Sequence, residues 1–108
     1  MMKMEIVFSQ DKCIQHNIDI NECYGKMDRY FERNHVSKTG LGCYEGSDFD
    51  PFAHAVMNLP YTDWFLKVVE QWYCWWDFAP KKREDALAGF YEVKAIADRR
   101  KQSYGAKL

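Results

Sequence analysis

The stretch Trp64-Phe65-Leu66-Lys67-Val68-Val69-Glu70-Gln71-Trp72-Tyr73-Cys74-Trp75-Trp76-Asp77-Phe78 decides how the rest of the chain can be arranged. Read at 3.6 residues per turn, its apolar positions cover more than half of a helical wheel. Lys67, Glu70, Gln71 and Asp77 are left on a narrow polar strip, which predicts a helix over 64–76 at the centre of the fold. Thr62 stands where a cap for it belongs. A rival reading breaks the run near Gln71 and makes 72–78 a strand, which its aromatic content favours. The helix is the expectation carried forward.

On its N-terminal side, Asp50-Pro51 reads as a cap followed by a proline at the first helical position. A brief helix with Phe52, Ala55, Val56 and Leu59 inward then ends before Pro60. On its C-terminal side, Pro80 marks a break and a restart. A last helix over 82–101 places Ala86, Gly89, Phe90, Val93, Ile96 and Ala97 on one side. Glu84 and Asp85 fall in its first turn and Arg99, Arg100 and Lys101 in its last, which suits the helix macrodipole.

Further out, Met4, Ile6 and Phe8 alternate in a first strand over 3–9, and 11–17 is polar and reads as a loop. Ile20, Cys23, Tyr24, Met27, Tyr30 and Phe31 recur at helical spacing and predict a helix over 20–34. Asp19 and Glu22 cap it. Residues 36–47, with Gly40, Gly42 and Gly46, read as a turn and a short strand. The expected order is β-α-β-α-α-α: an α+β fold with a small two- or three-stranded sheet covered by about four helices. Its expected extent is a single domain over 1–102 with a frayed tail over 103–108.

Composition narrows the function classes. A chain of 108 residues is one domain, and 47% apolar with 29% charged residues is ordinary for a globular one. No run approaches the ~20 apolar residues of a membrane span, and the first residues lack the pattern of a signal peptide. Cys13, Cys23, Cys43 and Cys74 are then expected as reduced thiols in a cytoplasmic protein. The 18 Trp, Tyr and Phe outnumber the 16 Leu, Ile and Val. Rings with polar tips are hard to bury in a small core, so part of them is expected at a surface or an interface.

The chemical constellations are thin. Cys13 and His16 form one Cys-x-x-His pair, with Cys23, His35, Cys43 and His54 as further ligand types. A structural zinc site wants two tight pairs, so no metal or other cofactor is expected. Cys43, with His54 or His35 as base, lacks a nameable orienting group, so no catalytic residue is assigned. The acids Glu45, Asp48, Asp50 and Asp63 lack calcium-loop spacing. Gly40-Leu41-Gly42 lacks the rest of a phosphate loop.

What remains is binding. The expected function is a small non-catalytic interaction or regulatory protein, such as an inhibitor, with another protein or a second copy as partner. Trp72, Tyr73, Trp75 and Trp76 are its candidate anchors, and Glu45 and Asp48 add electrostatic selection. Nucleic-acid association is the alternative, through Lys81, Lys82 and Arg83 with Arg99, Arg100 and Lys101. Those clusters lie roughly 27 Å apart along a helix, and the near-neutral total charge speaks against that alternative. An enzyme without a recognisable motif comes third. Residues 1–80 hold seven Lys and Arg against twelve Asp and Glu, while 81–108 hold eight against four. The body is acidic and the C-terminal segment basic.

Overall fold

The computed structural model describes the backbone of residues 1–106 and the side chains of residues 1–100. The tail expected over 103–108 has its side chains outside the described residues, and Lys107 and Leu108 lie outside them altogether.

The fold is built around β1 (Met2–Phe8), in which Met2, Met4, Ile6 and Phe8 are buried while Lys3 and Val7 face water. A strand dry on one side belongs to an antiparallel sheet covered on one face. On one flank β1 pairs with β3 (Cys43–Gly46), and on the other with β4 (Val69–Trp76). The edges are β2 (Ser37–Gly40), beside β3, and β5 (Ala79–Asp85), beside β4. The order is β2-β3-β1-β4-β5, and every pairing is antiparallel.

The chain is α+β, but the sheet has five strands and not two or three. Five helices accompany it: α1 (Gln10–Gln15), α2 (Ile20–Arg33), α3 (Phe49–Asn58), α4 (Phe65–Val68) and α5 (Ala86–Ala106), with a 3-10 turn at Leu59–Tyr61. The order therefore runs β-α-α-β-β-α-α-β-β-α and departs from the expected one at four places.

The first is α1, where a loop was expected. Ser9 caps it by accepting from the Lys12 amide at 3.2 Å, and Cys13 turns inward. The second is the segment 36–47, which supplies two strands. Leu41 and Gly42 join them as a two-residue turn. Gly42 has φ +70, and a Cβ there would lie 2.1 Å from the Ile6 carbonyl oxygen, so only glycine fits.

The third departure is the aromatic stretch. It is helical only over Phe65–Val68, and Val69 turns extended (φ −70, ψ 136). Trp72 and Cys74 are buried and Trp76 packs against the core, while Tyr73 and Trp75 take the other face. The run is apolar on both sides because both sides of this central strand are covered in part. That widened its arc on a helical wheel. The fourth is β5, an edge strand of Pro, Lys, Arg and acids with no alternation to read. Such residues suit an edge, which must not recruit further strands.

The core follows from these placements. Cys23, Met27 and Phe31 of α2 and Phe52 and Ala55 of α3 close on the inner face of the sheet, with Phe65 and Val68 of α4. Phe31 stacks on Tyr44 at 4.3 Å between centroids, and Phe65 meets the edge of Trp72 at 4.9 Å. Asp19 caps α2 as expected, accepting from the Asn21 amide at 2.9 Å, but Glu22 pairs with Arg29 at 2.7 Å. Asp48, and not Asp50, caps α3, accepting from the Asp50 amide.

Candidate protein-binding groove

At the end of β4 the helices leave part of the inner face open. There Cys74 and Trp76 form the floor of a groove of about 480 Å³. Val56 and Met57 of α3 and Tyr61 of the 3-10 turn make one wall. Gly89, Phe90 and Val93 of α5 make the other. Helical spacing predicts Val56 as an inward residue and Phe90 and Val93 as one stripe, and the structure brings these stripes face to face without closing them. Tyr61 and Phe90 touch edge to face at 5.9 Å, and beyond that contact a second cleft of about 300 Å³ runs between Pro60, Leu66 and Ala97.

The groove's apolar rim is open to water: Met57 is 65% exposed, Tyr61 80% and Val93 68%. Phe78, stacked on Trp76 at 6.3 Å, and Phe49 extend the apolar surface past the sheet end. Two carboxylates stand at the groove. Glu84 accepts from the Trp76 indole N–H at 3.0 Å, and Asp85 accepts from the Ala88 amide at 2.9 Å, which caps α5. The lining is thus mostly hydrocarbon and aromatic, with a small negative edge.

Three of the thiols are held neutral. Burial first, and then the Glu84 charge, push Cys74 up to about 12. Burial first, and then Glu5, raise Cys43, which is half-buried on the other face of the sheet. Burial, reinforced by Cys13, pushes Cys23 up to about 11. These shifts run opposite to those that activate a nucleophile. Among the described residues no group of three or more His, Cys, Asp or Glu converges as metal ligands would. Cys13 is buried while His16 points to water. All four cysteines are free.

The predicted anchors divide between two faces. Trp72 is fully buried against Phe65 and offers no surface; among the described residues its indole N–H has no hydrogen-bond partner. Trp76 floors the groove. Tyr73 and Trp75 lie together on the outer face, where the Arg83 guanidinium covers Tyr73 at 4.3 Å and the Lys3 ammonium lies over Trp75 at 5.8 Å. Glu45 is on that face too, 3.3 Å from Lys3, whereas Asp48 is spent as a cap.

The basic residues also separate. Lys81, Lys82 and Arg83 belong to the edge strand β5 and not to the last helix, which begins at Ala86. Arg99 and Arg100 lie on α5, which runs on to Ala106, so they are not its last turn; the Lys101 side chain is outside the described residues. Among the described residues no helix is long and apolar enough to cross a membrane.

Comparison with protein-family models, with curated proteins and with solved structures finds no match.

Proposed function

We propose that this chain is a non-catalytic protein-binding module whose groove between α3 and α5 receives an apolar segment of a partner. The observation that carries this reading is the exposure of Met57, Tyr61 and Val93 around a groove floored by Trp76. Contiguous apolar surface of this kind is what interaction sites have and ordinary surfaces lack. Glu84 and Asp85 favour a segment that carries a basic residue beside its apolar one. Neutral thiols and carboxylates already engaged in hydrogen bonds support binding over chemistry.

The nucleic-acid reading has less behind it. Arg83 is committed to the Tyr73 ring, and the acids Glu5 and Glu45 share the outer face with Lys3. Phosphate binding needs bases gathered without such neighbours.

Affinity capture from a lysate of the native source, compared across variants, tests the assignment of the face. The proteins retained by the wild-type chain are expected to be lost with Met57→Glu or Val93→Glu and kept with Trp75→Ala. Loss with Trp75→Ala and retention by both groove variants would overturn it.

A further inference from the structure

The chemistry of the groove's occupant follows from what its walls hold and what they lack. Tyr61, Trp76 and Phe90 give it three aromatic rings, and Glu84 and Asp85 two carboxylates. Among the described residues no Lys, Arg or His lines it. A cleft that is apolar with a negative edge is complementary to an apolar segment bearing a cation.

Other rings of the chain sharpen this. Lys26 lies 4.8 Å from the centre of the Trp64 ring, Lys3 5.8 Å from that of Trp75, and Arg83 4.3 Å from that of Tyr73. Those half-buried rings thus have a cation of their own chain over them. Trp72 is in the core. Trp76 is the remaining tryptophan, and among the described residues no cation covers it, or Tyr61, or Phe90. The negative face of a ring attracts a cation, and more strongly where water is excluded.

The carboxylates have capacity to spare. Glu84 accepts from the Trp76 indole N–H at 3.0 Å, and Asp85 from the Ala88 amide at 2.9 Å. An ionised carboxylate offers about four acceptor positions. Among the described residues neither acid is in an ion pair. The indole bond also holds the Glu84 carboxylate beside the aromatic lining, so one cation can meet both. A guanidinium suits that arrangement better than an ammonium. It is planar, stacks on rings, forks onto carboxylates, and gives up less hydration on entering a cleft of hydrocarbon.

We infer that the segment received by this groove presents an arginine, its guanidinium bonded to Glu84 among Trp76, Tyr61 and Phe90, with a neighbouring apolar side chain against Val56 and Met57. This deepens the groove reading and rests on it, since it names the side chain that the groove selects.

Nuclear magnetic resonance of the full chain, labelled with nitrogen-15, tests this through the Trp76 indole N–H. The probes are N-acetylated amides of leucyl-arginine, leucyl-lysine and leucyl-citrulline; citrulline keeps the shape of arginine without its charge. Leucyl-arginine should move the Trp76 signal and leave that of Trp75 in place. Leucyl-citrulline should bind roughly fivefold more weakly, with leucyl-lysine between them. Glu84→Gln keeps an acceptor for the indole N–H but removes the charge, and should erase the preference for arginine over citrulline. The arginine–citrulline comparison is made on the wild-type chain, so it does not depend on the variant's folding.

Equal binding of the arginine and citrulline probes would overturn the assignment. So would a preference that Glu84→Gln leaves intact, or a Trp76 signal that no probe moves. Any of these alongside partner capture that still depends on Met57 removes the arginine alone. A Trp76 signal that no probe moves, with capture indifferent to Met57→Glu and Val93→Glu, removes the groove reading as well.

Discussion

Helices α2 and α5 both carry apolar residues at helical spacing, α2 with its charges opposite and α5 with Lys94 and Arg100 beside them, and they end in opposite states. In α2 the stripe is closed: Cys23, Met27 and Phe31 are at most 2% exposed, and Phe31 is stacked on Tyr44 and tilted against Phe52. In α5 no described residue is fully buried, and its contact with the body is made by Ala86 and Leu87 packed against the core, by Phe90 against Tyr61 and by the turn that Asp85 caps. The pattern of residues states that a face needs cover. It does not state whether the cover comes from the same chain. The proposed binding face rests on this difference between the two helices.

The largest expected effect lies in α2. Phe31→Ala empties a site between two rings and should cost about 3–5 kcal/mol of unfolding free energy, read by urea denaturation. A loss below about 1 kcal/mol would mean that α2 is as loosely held as α5.

Alkaline pH loosens the body that α2 and β4 build. Cys23 of α2 and Cys74 of β4 both have thiol pKa values raised by burial, from the ordinary 9.0 to about 11 and about 12. A group whose folded pKa is raised contributes stability that is present below its unfolded pKa and is lost as pH climbs through the folded one. Stability should therefore fall from pH 9 upward, Cys74 alone accounting for about 2 kcal/mol by about pH 10.5. Cys74→Ala should flatten that decline in urea midpoints, and an unchanged slope would contradict the burial of its thiol.

The two interior glycines sharpen the contrast further. Gly89→Ala should strengthen α5 by about 1 kcal/mol in the isolated chain, because nothing obstructs the new methyl group. Gly25→Ala in α2 gains the same propensity, but its Cβ would come 3.1 Å from the Arg29 guanidinium and displace it from Glu22. Its net gain should be smaller, a difference that thermal unfolding of the two variants resolves. The smallest effect belongs to Val93→Ala, an exposed position, expected within about 0.5 kcal/mol.

Much of the closed half was legible in the sequence, and the open half was legible only as a pattern. Strand β1 and helix α2 each show one dry face and one wet face, so alternation and helical spacing locate them to within a residue or so. Strand β4 misleads because Lys3 and Arg83 cover its outward Trp75 and Tyr73, removing the polar half of the alternation. Strand β5 has no dry face at all, and its two-residue connection to β4 lacks a glycine. At the groove, Trp76, Val56, Phe90 and Val93 all stand out as apolar residues on faces. That they remain partly uncovered is a property of how α3 and α5 diverge, and no local pattern encodes a divergence. Gly89, within the first turns of that helix, was the available signal.

Hydrogen–deuterium exchange compares α2 and α5 most directly. The α2 amides should be strongly protected, because their cover is within the chain. Amides of α5 from Gly89 to Arg100 should exchange far faster. Protection of α5 equal to that of α2 would contradict the claim that its face lacks cover within the chain.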